Sequence, residues 1–168
     1  MSTFDSLEFT EVEVPPVLAA QVSGQSAPDP AAIGKAMGVT FGQLMGFVGQ
    51  HKLRPAGPPR CIYTAHSPKG LTFTVAMPIA KSPVKPIKAG PGSVQSIPGG
   101  KALRFTHRGA YANLRKTYGQ IGEFLKTKGL MKTDADWARY MPMWEEYLND
   151  PQTAPEANLL TYIYLPKT

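Results

Sequence analysis

The sequence predicts an α+β protein: tandem βαββ repeats in pseudo-two-fold arrangement, an antiparallel sheet, two main helices, and a cleft between the repeats. Three observations lead there. FGQLMGFVGQHKL, Phe41 to Leu53, returns as YGQIGEFLKTKGL, Tyr118 to Leu130, keeping Gly42/Gly119, Gln43/Gln120, Phe47/Phe124 and Leu53/Leu130. LTFTVAMP, Leu71 to Pro78, has a counterpart in LLTYIYLP, Leu159 to Pro166. Both pairs fall at the same places in a strand, helix, hairpin order. Neither unit can bury its sheet alone, so the two are expected to share one sheet with the helices over it. A chain of 168 residues suits one domain. The expected division is repeat one at about 7–80, a connection at about 81–96 and repeat two at about 97–168.

The elements follow in order. LEFTEVEVPPVLAAQVSG holds two β-rich pieces broken by Pro15-Pro16, which a central strand does not tolerate, so the main strand is expected at 17–22. Asp29-Pro30 supplies an N-cap and an N1 proline for a helix running to about Gln50, with Ile33, Met37, Phe41, Leu44 and Val48 as its apolar face. Gly34, Gly38, Gly42 and Gly46 form a stripe along it. Each glycine costs up to about 1 kcal/mol against alanine, so the stripe is expected to pack closely on a neighbouring element, or else to meet a ligand. Strands at 60–65 and 71–77, joined by HSPKG, make a hairpin. The next stretch, KSPVKPIKAGPGSVQSIPGGK, is rich in Pro, Gly and Lys and reads as a connection.

The order then restarts. A strand is expected at 101–107, then a helix at about 112–128 carrying Leu114, Tyr118, Ile121 and Leu125 on one face and stopped by Gly129. Strands at 143–148 and 159–165 complete the second hairpin. Trp137, after Asp134-Ala135-Asp136, is a packing residue or a lid.

Composition narrows the function. Hydrophobic residues make up 42 % and charged ones 18 %, which excludes intrinsic disorder. The net charge of +6 is scattered, its densest runs being 81–88 and 115–132, and no recognition helix or stacking platform accompanies it. Direct nucleic-acid binding is therefore not expected. One cysteine, Cys61, excludes an internal disulfide and a cysteine-rich metal site. His51 and His66 lack metal-ligand spacing with it, and no nucleotide-binding glycine motif is present, so neither metal nor cofactor is expected. His107 is expected to hydrogen-bond the turn before Tyr111. The opening MSTFDSLEFTEVEV has no leader-like pattern and no run reaches the apolar length of a membrane span, which predicts a cytoplasmic protein with no membrane partner.

Several residues of the second half carry a family likeness: His107-x-Gly109-x-Tyr111, Tyr118 and Leu125, then WEEYLNDP at Trp144 to Pro151, then TYIYLP at Thr161 to Pro166. In these the chain resembles the GyrI-like (gyrase-inhibitor-like) small-molecule-binding domain, also seen as the effector-binding domain of AraC-family and MerR-family multidrug regulators. The resemblance implies a pocket between the repeats, lined by aromatics and holding a glutamate that meets cationic lipophilic ligands. Glu145 matches that glutamate and Tyr164 an aromatic of the last strand; the family's second glutamate is replaced here by Tyr162.

Strand alternation sends Glu145 and Tyr147 to one face and Trp144, Glu146 and Leu148 to the other, while Tyr162 and Tyr164 point together. If the faces match, Glu145 sits among Tyr147, Tyr162 and Tyr164. Overlaying the hairpins sets Cys61 and Tyr63 opposite in the cleft, with Thr74 and Ala76 in place of Tyr162 and Tyr164. Tyr111, Tyr118 and Phe41 complete the candidate ligand-binding set. Cys61 is expected as a small buried hydrophobe.

The expected function is that of a stand-alone GyrI-like domain, non-enzymatic, that binds or sequesters a lipophilic aromatic small molecule, cations among the candidates. The alternative is a small-molecule hydrolase of the cyclopropanoid cyclopropyl hydrolase type, in which Glu145 is the catalytic carboxylate and Tyr111 or Tyr164 assists. A third possibility is a protein-interaction module, with DNA gyrase or a regulator protein as partner.

Overall fold

The structure, a computed structural model, describes residues 7–80 and 87–167; the first six residues and most of the first basic run lie outside it. Among the described residues nine strands form one antiparallel sheet: β1 Glu8–Val14, β2 Val17–Ser26, β3 Arg60–Ser67, β4 Gly70–Pro78, β5 Lys88–Ala89, β6 Gly92–Ile97, β7 Gly100–Arg108, β8 Met143–Tyr147 and β9 Leu160–Pro166. Two α-helices, α1 Pro30–Gln50 and α2 Leu114–Thr127, accompany it, with 3-10 turns at Tyr111–Asn113, Asp134–Tyr140 and Glu156–Asn158.

The strand order is β1-β7-β9-β8-β3-β4-β2-β6-β5. The six strands from β7 to β2 read the same from either end when each is named by its place in its strand, helix, hairpin unit. The two units therefore meet where β3 pairs with β8, Cys61 opposite Glu145. β1 and β2 are neighbours in the chain, separated only by Pro15-Pro16, yet stand first and seventh in the sheet. Such a short link can pass the five strands between them only if the sheet curls strongly. The β6–β7 link, Pro98-Gly99, makes a similar passage, and a side chain at Gly99 would run into the backbone of Val14, Pro15 and Pro16.

Both helices lie on one face of the sheet. Asp29 accepts from the Ala31 and Ala32 N–H groups at 3.0 and 3.2 Å, which starts α1 where the sequence places it. α1 packs Leu44, Phe47 and Val48 on Ala20, Val22, Phe73 and Val75, and α2 packs Ile121, Phe124 and Leu125 on Phe105, Ile163 and Leu165. Gly129, at φ 73°, ends the second helix in the left-handed region.

Four expectations need correction. The glycine stripe of α1 neither packs closely nor lines a cleft: a Cβ at Gly34, Gly38, Gly42 or Gly46 would meet nothing within 4 Å. The stripe points to solvent because the helix seats its opposite side, Thr40, Leu44 and Phe47, on the sheet. The stretch 81–96 is more than a connection, since β6 pairs with β2 from Val17↔Ile97 to Val22↔Gly92 and β5 pairs with β6. The piece before Pro15 is a full strand, paired not with its own unit but with β7. Finally, α1 is 21 residues with mean hydropathy 1.2 in its most apolar window, enough to cross a membrane by length and composition alone. Here its apolar side is seated on the sheet.

Candidate functional site

Residues directly opposed on antiparallel strands share a face, so the pairings give the helix-side surface row by row. One row runs Val22, Val75, Cys61, Glu145, Ile163, Phe105, Phe9 across seven strands. Glu145 is the row's carboxylate, and it stands in the middle, where the two units meet. It is 2 % exposed.

Three phenols occupy this carboxylate. Tyr63 and Tyr147 donate to Glu145 Oε1 at 3.0 and 2.7 Å, and Tyr118 donates to Oε2 at 2.5 Å. Each comes from a different element: Tyr63 from β3, Tyr147 from β8 two residues after the glutamate, and Tyr118 from the sheet-facing side of α2. Among the described residues no Lys or Arg forms a salt bridge with Glu145. The charge is held by hydroxyl dipoles instead, the arrangement a buried carboxylate needs when no cation is at hand.

The electrostatics follow from burial. Desolvation, then the neighbouring Glu145 charge, pushes the Tyr63, Tyr118 and Tyr147 hydroxyls well above the usual phenol range. The same two causes push the Cys61 thiol up. It is fully buried and stays a thiol, so it acts as a small hydrophobe rather than a nucleophile.

An aromatic rim surrounds the phenols. Phe41 of α1 lies edge-on to Tyr147 with ring centres 6.0 Å apart, and Tyr111, from the turn before α2, meets Tyr147 from another side at 5.6 Å. Trp137 packs edge-on to Tyr118 at 6.2 Å. Phe41, Tyr111 and Trp137 are half-buried and bring α1, the α2 entry and the 134–140 turn around one carboxylate. Grooves also lie elsewhere on the surface of the described residues. One of about 370 Å³ runs between β2 and α1, and one of about 460 Å³ between β7 and α2. The Glu145 site itself is closed by its own tyrosines.

The structure brings together Glu145, Tyr63, Tyr118, Tyr147, Cys61, Phe41 and Tyr111. It does not bring Tyr162 and Tyr164 there. Glu145 pairs with Ile163, while Trp144 pairs with Tyr164 and Glu146 with Tyr162, which puts both tyrosines on the helix-free face. Tyr164 donates to Glu146 at 3.2 Å instead, and Thr74 and Ala76 lie on that face as well. The three tyrosines around Glu145 are thus Tyr63, Tyr118 and Tyr147. The physical reason is register: a slip of one residue exchanges the faces of a strand, and the long β8–β9 connection does not fix it as a tight turn would.

Thr161, absent from the expected set, lies opposite Tyr147 on the helix side, fully buried, with no partner for its hydroxyl among the described residues. Only the same register would have pointed to it. His107 holds the turn, its Nε2–H donating to the Ala110 carbonyl at 2.9 Å and its Nδ1 accepting from Thr117 Oγ1 at 2.6 Å. Among the described residues no group of three His, Cys, Asp or Glu side chains is placed to hold a metal ion.

A family model described as the GyrI-like small molecule binding domain matches residues 7–167. A search of curated proteins gives no match. Among solved structures, the EcmrR C-terminal domain superposes with TM-score 0.68 at 19 % identity, over 95 % of this chain and 96 % of that one. SAV2435 bound to tetraphenylphosphonium superposes with TM-score 0.62 at 10 % identity, over 95 % and 93 %. A hydrolase from Listeria innocua superposes with TM-score 0.58 at 14 % identity, over 95 % and 91 %. At these identities the likeness is one of fold.

Proposed function

The chain belongs to the GyrI-like family of small-molecule-binding domains, and on that premise we propose that it binds a lipophilic aromatic cation at Glu145. One observation carries this reading. A carboxylate stands in the middle of an apolar row, 2 % exposed, held by three phenols and, among the described residues, by no protein cation. A structural role alone would be served better by an apolar residue, because desolvating a carboxylate is costly. A ligand cation supplies the countercharge. The aromatic walls add about 0.5–2 kcal/mol for each cation–π contact.

Binding requires the closed cluster to open. A ligand entering between Phe41 and Tyr111 displaces Tyr147, which both rings touch, and exchanges phenol hydrogen bonds for the cation. The domain then acts as a receptor or a sequestering protein. SAV2435, which shares the fold, is bound to tetraphenylphosphonium, and that ion is a suitable first probe.

The test is a thermal-shift screen of wild type and Glu145→Gln against tetraphenylphosphonium and neutral planar aromatics, with mass spectrometry of each bound compound. A ligand at a hundredfold excess over its Kd stabilises the fold by about 2.7 kcal/mol. The reading expects that shift for the cation, its loss in Glu145→Gln, and recovery of the compound intact. An equal shift in the variant would refute the assignment, and a compound recovered with one water added would make the protein a hydrolase.

A further inference from the structure

The helix-free face repeats the pattern of a buried ionic group among aromatics, with the opposite sign. Arg60, Glu146 and Tyr162 form one row across β3, β8 and β9, and Trp144, Tyr164 and Arg104 the next across β8, β9 and β7. Trp144 stacks on Tyr164 with centroids 4.8 Å apart and planes 9° from parallel, and Tyr162 meets Tyr164 edge-on at 6.3 Å. Arg104 lies 4.2 Å from the centre of the Tyr162 ring and Arg60 5.7 Å from that of Trp144. Two guanidinium groups thus share this cluster with a single carboxylate.

That carboxylate does not satisfy them. Arg60 Nε is 3.2 Å from Glu146 Oε1, an ion pair by distance, but its N–H is not aligned for a hydrogen bond, and Glu146 Oε2 accepts from Tyr164. Arg60 is only 6 % exposed. The Arg104 guanidinium also approaches the Tyr164 hydroxyl, yet its Nε, like Trp144 Nε1, is buried and donates to nothing among the described residues. Buried donors are nearly always paired in folded proteins, so three orphaned N–H groups in one cluster need an acceptor. The rings hold both guanidinium groups in place, so a ligand that moves the covering side chains meets their N–H edges, and a planar guanidinium matches an oxyanion geometrically.

We propose that this face is a second binding site, separate from Glu145, which takes a small oxyanion, a carboxylate or phosphate group carried on an apolar body. Arg60, Arg104 and Trp144 donate to the oxyanion, and the half-exposed rims of Trp144 and Tyr162 receive the body. Glu145 and Glu146 are neighbours in one strand, so the cation and anion sites stand back to back across the sheet.

The test is a titration of ¹⁵N-labelled protein with benzoate and with phenyl phosphate, following the Arg60 and Arg104 Nε–H and Trp144 Nε1–H resonances, with sodium chloride at matched ionic strength as control. The three are expected to move together and saturably, with at least tenfold weaker binding in Arg104→Gln. A smaller weakening is expected in Trp144→Phe, which keeps a ring and removes one donor. Glu145→Gln should bind within twofold of wild type, and the tighter of the two probes identifies the anionic group. Resonances that stay still, that respond equally to chloride, or that lose their response in Glu145→Gln would overturn the proposal.

Discussion

The phenol cluster around Glu145 makes stability at alkaline pH a quantitative test. Unfolded tyrosine ionises near pH 10, whereas the folded protein holds Tyr63, Tyr118 and Tyr147 protonated well above that. Above pH 10 the folded state therefore binds more protons than the unfolded state, and stability falls as pH rises. Each tyrosine removes about 1.4 kcal/mol per pH unit for as long as it stays protonated in the folded state, so the three together remove about 4 kcal/mol over the first unit above pH 10. That is a large part of the roughly 5–15 kcal/mol that a domain has in total. Cys61 adds a similar loss starting near its ordinary thiol range, about pH 8.5. Tyr118→Phe isolates one phenol. It removes the 2.5 Å bond to Glu145 Oε2, which should cost about 1.5–3 kcal/mol at pH 8, and it should lower the slope above pH 10 by one proton. Urea unfolding followed by circular dichroism from pH 8 to 11.5 in both proteins measures the difference. Parallel slopes, or all seven tyrosines of the native wild type titrating with an ordinary midpoint near pH 10 at 295 nm, would refute the reasoning.

Urea melts test further substitutions. A Cβ at Gly92 would come within 2.3 Å of the Phe47 ring, so Gly92→Ala should destabilise by about 1–3 kcal/mol, whereas Gly42→Ala, with nothing within 4 Å, should stabilise by up to about 1 kcal/mol. Asp29→Ala removes the α1 cap and should cost about 1 kcal/mol. Arg60→Met alone leaves Glu146 buried without its partner and should cost about 3–5 kcal/mol; adding Glu146→Met should recover most of that loss.

Local chemistry made much of this fold readable. Asp29-Pro30 started α1 at the right residue, Gly129 stopped α2, and strand alternation put Cys61 and Tyr63 on one face. A bulge between Tyr63 and Ala65 shifts the β3–β4 register, so the turn after Ser67 does not set which face that is. Long-range pairing was not readable in the same way. β1 pairs with β7 some ninety residues away, and β6 docks on β2 from a stretch whose Pro and Gly content signals a connection. For Tyr162 and Tyr164, alternation showed that they point together but not to which side, because that depends on a register set by the whole β8–β9 pairing. The glycine stripe misled for another reason: small residues permit close packing but do not require it, and α1 seats the side that carries Leu44 and Phe47.

The central claim is that Glu145, not a carboxylate or aromatic of the opposite face, receives the ligand cation. Isothermal titration of tetraphenylphosphonium into wild type, Glu145→Gln and Tyr162→Phe tests it most directly. The account predicts one site in wild type, unchanged in Tyr162→Phe and at least tenfold weaker in Glu145→Gln. Binding that persists in Glu145→Gln, or disappears in Tyr162→Phe, would contradict it.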